Sequence, residues 1–229
     1  MGYKPETDLT TPLSPELLSY YQSLIGIIRW MVDIGIINIT TEVSLLSSHN
    51  SYPQEKHFEK VLHVMGYLKL KHNYRLAIYP NYPPINNDNY ESQDWTAFYG
   101  DVQEAIPINV PAPRGKAVVI QIKVDSDHAG NLADRHSRTC YMIYVQMALI
   151  FLLSKKQATF DKAVFGSDFV DMTHGVKTLH GLRFKFRMIG VPVYGPTSIF
   201  GDNISVIFNT SRPDSQLKKK SNSICYQIV

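Results

Sequence analysis

The stretch whose reading decides the fold is Ala117-Val118-Val119-Ile120-Gln121-Ile122-Lys123-Val124, which runs straight into Asp125-Ser126-Asp127. Its first half is continuously apolar and its second half alternates, the pattern of a strand buried at its beginning and half-exposed toward its end. A polar turn over 130–138 follows, then two more strand-like runs, 139–146 and 148–153. Beyond them Phe169, Met172, Val176, Leu179, Leu182, Phe186 and Ile189 recur every three or four positions. That spacing predicts a long helix over 167–189, stopped by Gly190. A short strand over 197–200, the turn Gly201-Asp202-Asn203 and a brief helix to about Asn209 complete the run. Three strands, a helix, a strand and a helix make an α/β order, antiparallel at the start with a parallel strand added after the crossing helix.

Upstream, residues 14–71 read as helical. Ser14-Pro15-Glu16 offers a capping serine, proline at the first helical position and then an acid. Leu17, Leu18, Tyr21, Leu24, Ile25, Ile28, Met31 and Val32 form an apolar stripe around one helix. A second helix is expected over 41–48, and a third from near Pro53 with Phe58, Val61, Leu62, Met65 and Leu68 on its inner face. Three helices could suggest a helix-turn-helix reader of DNA, but this half is acidic and offers no basic recognition face. Residues 73–115 hold a possible strand at 74–79 and are otherwise broken into loops by Pro80, Pro83, Pro84, Pro107, Pro111 and Pro113. Trp95, Phe98 and Tyr99 are expected to pack this connector against a neighbour. The domain boundary falls near Gly115, giving a helical segment with a proline-rich linker over 1–115 and an α/β domain over 116–229.

Composition narrows the classes. A chain of 229 residues that is 44% hydrophobic and 19% charged can bury a core and is not wholesale disordered. Its longest strongly apolar run, 142–153, is interrupted by Gln146 and is shorter than the roughly 20 residues a membrane helix needs. Residues 1–14 have no apolar core and do not read as a signal peptide. Two cysteines, Cys140 and Cys225, are too few for a disulfide framework, so a reduced, intracellular setting, cytoplasmic or nuclear, is expected. The net charge of +3 conceals an asymmetry: residues 1–115 carry 8 basic and 12 acidic side chains, and residues 116–229 carry 15 and 8. The basic second half suits a polyanionic partner, although a merely solvated basic surface has the same composition.

Three acids stand where chemistry gathers in an open α/β sheet: Asp125 at the end of the first strand, Asp168 in the first turn of the long helix and Asp202 after the fourth strand. Convergent carboxylates without cysteine or zinc-spaced histidine suit Mg²⁺ or Mn²⁺. Two such ions about 3.5–4 Å apart can activate a water and stabilise the leaving oxygen of a phosphodiester. The plainer alternative is that Asp168 caps a helix and Asp202 makes a turn.

The segment 124–132, Val-Asp-Ser-Asp-His-Ala-Gly-Asn-Leu, resembles the first ribonuclease H motif of copia-type retrotransposon polyproteins. Arg135-His136-Ser137-Arg138-Thr139, Ser154-Lys155-Lys156-Gln157, Phe165-Gly166-Ser167-Asp168-Phe169-Val170, Gly190-Val191-Pro192-Val193 and Ile199-Phe200-Gly201-Asp202-Asn203 are similar, in order, to the segments that follow it in that family. Upstream, Tyr21-Gln22-Ser23-Leu24-Ile25-Gly26, Thr41-Glu42-Val43-Ser44-Leu45-Leu46 and Tyr67-Leu68-Lys69 resemble the region between polymerase and ribonuclease H. The resemblance spans about residues 13–229.

It implies a ribonuclease H-like mixed sheet with helices, preceded by a connection segment. Asp125, Asp168 and Asp202 would be catalytic ligands of two Mg²⁺ or Mn²⁺ ions, with Asp127 an outer neighbour or an alternative first ligand. The implied substrate is the RNA strand of an RNA–DNA hybrid, its phosphates met by Lys155, Lys156, Arg183 and Arg187, and the upstream polymerase of the polyprotein is a further partner. His128 and His136 lack partners at metal spacing and are expected at the surface.

Departures from the family bear on activity. Asp168 stands where the family has Glu, and Asp171 and His174 occupy positions that are small or apolar there. Phe151-Leu152-Leu153 replaces an aromatic-containing segment, and no fourth acid follows the helix expected over 217–226. No Tyr-x-Asp-Asp is present, so this chain carries no polymerase site. The expectation is a ribonuclease H-like domain of weak or no activity. The alternatives are a non-catalytic nucleic-acid-binding or connection module, and the product of a decayed retroelement.

Overall fold

The computed structural model describes residues 4–85, 93–101, 104, 106, 108–158, 163–212 and 215. The helix expected over 217–226 and Cys225 lie outside them. Among the described residues the chain is mixed α/β, with two separate apolar clusters.

The first cluster belongs to three helices, α1 (Pro15–Asp33), α2 (Thr40–Ser47) and α3 (Glu55–Leu70). Ser14 caps α1 through a hydrogen bond from the Leu17 amide to its hydroxyl, 3.4 Å, and Pro15 follows with its fixed φ. Tyr21, Leu24, Ile25 and Ile28 then meet Ile39, Val43 and Leu46 from the α2 region and Val61 and Val64 from α3. Buried Tyr21 keeps its hydroxyl satisfied by donating to the Leu46 carbonyl at 2.8 Å. The start of α3 is a reciprocal cap in which His57 Nδ1 accepts from the Gln54 amide at 2.9 Å. The other ring nitrogen of His57 meets the Pro5 carbonyl at 2.9 Å and pins the N-terminal segment onto the bundle. Leu62, expected inside, is exposed, because the inner stripe of α3 runs through Val61 and Val64.

The connector differs from expectation. Residues 74–79 form no strand, and Tyr74, Leu76, Ile78 and Tyr79 are all exposed. A one-turn helix, α4 (Thr96–Tyr99), is the regular element described here, with Tyr99 exposed.

The second cluster lies between a four-stranded sheet and a long helix. β1 (Ile120–Asp127), β2 (Arg138–Val145), β3 (Ala148–Lys156) and β4 (Ser198–Phe200) stand in the order β3-β2-β1-β4. β1 pairs antiparallel with β2, and β2 with β3. β4 joins parallel to β1, with Gln121 opposite Ser198 and Lys123 opposite Phe200. The crossing element is α5 (Val164–Met188), followed after β4 by α6 (Ile204–Ser211). The antiparallel start and parallel addition are those expected from the order of elements.

Ile122, Val124, Tyr141 and Ile143 on one sheet face pack with Leu179 of α5. Gly175 permits the close approach: a Cβ there would lie 2.7 Å from Ile122 Cδ1. Gly190, at φ +78°, ends the helix region, and its carbonyl accepts from the Arg114 amide at 2.7 Å.

The two halves touch through α2 and β3. Ser44 Oγ donates to the Ser154 carbonyl at 2.5 Å and receives a 2.6 Å hydrogen bond from Arg138 Nη1.

Candidate acidic site

β1 starts at Ile120, three residues later than the apolar run predicts, and ends at Asp127 as expected, with Asp125 near its end and opposite Cys140 in the ladder. α5 begins at Val164 with Ala163 at its cap position, which puts Asp168 in the second turn and rules out the capping role. Asp202 sits in the turn after β4, and it is the next residue, Asn203, that caps α6, its Oδ1 accepting from the Ser205 and Val206 amides at 3.0 and 3.3 Å.

Asp125, Asp168 and Asp202 line one small depression together with Val124, Met172, Gly201, Asn203 and Val206. The Asp125 carboxyl is held above the usual carboxylate range, first by burial and then by the charges of Asp202 and Asp168. Crowded like charges of this kind, all oxygen donors, suit a hard divalent cation. The side chains as they stand nevertheless assemble no group of three carboxylate, histidine or cysteine ligands about one point among the described residues. Asp168 shows why. One oxygen meets Ser126 Oγ in a very short hydrogen bond, and the other accepts from Asn203 Nδ2 at 2.6 Å.

The chain was compared with protein-family models, curated proteins and solved structures, and nothing in any of the three matches it.

The remaining residues singled out in the sequence are dispersed. Asp127 lines a different cavity, between the N-terminal segment and the β1–β2 connection, with Lys4, Glu6, His136, Arg138 and Lys156. Gly130 leaves room for it there: a Cβ on that glycine would overlap the Asp127 carboxylate. Lys155 is exposed on β3, and Lys156 is paired with Asp134. Arg183 and Arg187 lie on the far half of α5 from the acidic depression, and both bind Glu104 of the connector. Those two hydrogen-bonded guanidinium groups pull the Glu104 carboxyl down to about 2.

His128 and His136 are half-buried, and His128 Nδ1 lies 3.2 Å from Ser167 Oγ. Two residues on α5 at positions described above as small or apolar in the family part company: His174 is exposed, and Asp171 is completely buried.

Asp171 is the residue that sequence reasoning underrated. Its Oδ1 accepts from Gln157 Nε2 at 2.6 Å and takes a very short hydrogen bond from Thr139 Oγ1, while Oδ2 accepts from the Cys140 amide at 3.2 Å. Burial pushes its carboxyl up to about 7 against the opposing effect of those three donors. Its place between Phe169 and Met172 on the inward stripe of α5 was the available signal.

Proposed function

We propose that residues 116–229 are a ribonuclease H-like domain, derived from a retrotransposon Pol polyprotein, whose acidic edge takes a divalent cation weakly and cuts the RNA strand of an RNA–DNA hybrid poorly or not at all. The observation that carries this reading is that Asp125, Asp168 and Asp202, from a strand, a helix and a turn distant in sequence, line a single depression. The antiparallel sheet start, the parallel fourth strand and the long crossing helix support it, as do the ordered motifs from Val124 to Asn203.

In this reading Asp125 and Asp168 hold one Mg²⁺ or Mn²⁺ and Asp202 helps hold a second. Such ions supply a nucleophilic water at neutral pH and neutralise charge on the departing oxygen. The chain's own contribution is to bring the carboxylates to one edge, and here it falls short. Asp168 is one methylene shorter than the family's glutamate, and its oxygens are held by Ser126 and Asn203. A second reading, in which the domain binds hybrid without cutting it, draws on the same observation. The basic balance of residues 116–229 serves either reading, because cationic side chains displace counterions from phosphates whether or not cleavage follows.

The test is RNA-strand cleavage and hybrid binding by the full chain, each with Mg²⁺, with Mn²⁺ and with chelator. Weak chelator-sensitive cleavage fits the first reading, and salt-sensitive binding without cleavage fits the second. Absence of both binding and cleavage overturns the pair. No helix among the described residues is long and apolar enough to cross a membrane.

A further inference from the structure

A fully buried carboxylate one helical turn beyond Asp168 requires an explanation. We infer that Asp171 is the positioning residue of the acidic site: with Gln157 and Thr139 it clamps the first turns of α5 to the sheet and so fixes where Asp168 stands. The inference rests on reading the depression as a cation site.

The clamp has two ends joined by one side chain. The Gln157 amide nitrogen donates to Asp171 Oδ1 at 2.6 Å and to the Ser167 carbonyl at 3.1 Å. Ser167 is the residue immediately before Asp168, so the same amide holds the backbone behind the site and the carboxylate one turn farther on. Gln157 is itself anchored, its backbone amide donating to the Ser137 carbonyl at 2.9 Å at the entry to β2. From β2, Thr139 Oγ1 and the Cys140 amide complete the carboxylate's donors. On the other side of the turn, Ser167 Oγ lies 3.1 Å from Ser126 Oγ, and Ser126 donates to Asp168. The connected path therefore runs from Asp171 through Gln157 and Ser167 to Ser126 and Asp168, joining α5 to all of the first three strands or their ends.

Chemistry separates this role from packing. An interior position facing a sheet is filled at least cost by an apolar side chain, and an unpartnered buried carboxylate is expensive. Asp171 has three donors aimed at it from two other segments, and one of those donors also reaches the ligand-bearing turn. Groups that hold a ligand from behind commonly change metal affinity by about 10–100-fold when altered.

The experiment compares the full chain with D171N and D171L. Asn keeps an acceptor oxygen for Gln157 and Thr139, whereas Leu keeps the bulk and loses the acceptor. Two readouts are taken: amide hydrogen exchange over residues 164–170, and Mn²⁺ affinity by titration. We expect D171L to speed exchange about tenfold and to weaken Mn²⁺ binding about tenfold, with D171N within about threefold of the native chain in both. The opposite order, Leu native-like and Asn loosened, marks simple packing and overturns the proposal. So does native exchange in both variants. Where the native chain takes up no Mn²⁺, the exchange ranking still decides the clamp, and it is the cation reading that fails. Should D171L not fold, Q157A removes the shared amide while leaving Asp171. Tenfold faster exchange over 164–170 then supports the clamp, and unchanged exchange overturns it.

Discussion

Glu104 grips Arg183 with two hydrogen bonds, 3.1 Å to Nε and 2.7 Å to Nη2, and the same carboxylate reaches Arg187. A connector residue thereby occupies two of the four cations that the resemblance would send to phosphates. Glu104→Ala removes the carboxylate from both, while Arg183 Nη1 keeps its hydrogen bonds to the Gly195 carbonyl and Thr197 Oγ1 at 3.1 and 3.0 Å. The expected outcome is tighter hybrid binding with a steeper salt dependence, by up to about two phosphate contacts. Stability should fall by roughly 1–2 kcal/mol, because the glutamate side chain is 42% exposed but the arginines it leaves are only 11% and 16% exposed. Binding isotherms at several salt concentrations check it, and an unchanged salt slope would show that the two arginines stay away from nucleic acid even when released.

Lengthening Asp168 by one methylene tests the acidic edge directly. Asp168→Glu should carry the carboxylate past Ser126 and Asn203 toward Asp125 and Asp202, raising Mn²⁺ affinity about tenfold over the native chain. Titration of both proteins measures this, and equal affinities would mean that reach is not what limits the site.

Cation uptake should also depend on pH through Asp125. Burial and the neighbouring Asp202 and Asp168 hold its carboxyl above the usual carboxylate range, so it stays protonated to a higher pH than a free aspartate. Because a metal ligand must be ionised, Mn²⁺ affinity should drop as pH is lowered through that raised range. Asp125→Asn should flatten the profile as well as weaken binding. A native profile flat from neutral pH down into the ordinary carboxylate range would contradict the assignment.

Asp171 makes a separate prediction about stability. Burial pushes its folded carboxyl up to about 7, well above the ordinary aspartate range, so the folded state binds the proton more tightly than the unfolded chain. The associated stability is fully present below the unfolded value and declines as pH rises through the folded one. The loss between pH 4 and pH 8 amounts to at most about 4 kcal/mol. Urea unfolding of the native chain and D171N across this range should show the slope in the former and its near-absence in the latter. Parallel profiles would remove Asp171 as the source.

In the helical half the sensitive position is His57. Replacing it with Ala removes the reciprocal cap of α3 and the link to the Pro5 carbonyl together, at an expected cost of about 2–3 kcal/mol. Thermal unfolding reports the loss, and a change within about 0.5 kcal/mol would show that neither contact matters in solution.

Periodicity made the helices and sheet legible. The stripe from Leu18 to Val32 and that from Phe169 to Phe186 each have one inward face, though Leu17, expected on the first, is exposed, and the apolar run before Asp125 forms a buried strand as its pattern predicts. Starting points were less legible: β1 begins at Ile120 and not Ala117, and the long helix at Val164 and not Ser167, while the end of β1 at the acidic pair was legible. Tyr74 to Tyr79 had strand composition but found no neighbouring strand, and composition without a partner makes no sheet. Within the site the three acids could be located from their places along the chain. The grip of Ser126 and Asn203 on Asp168, and the burial of Asp171, depend on contacts across 14 to 42 residues that no local pattern records.

The convergence of Thr139, Gln157 and the Cys140 amide on one carboxylate constrains how this sequence can change. With Gln157 or Thr139 altered first, Asp171 would lose one of its three buried donors. With Asp171 altered first to an apolar residue, the glutamine amide would lose one of its two acceptors. The three positions are therefore coupled in energy: effects of single substitutions there should not add, and the order in which they are changed should matter.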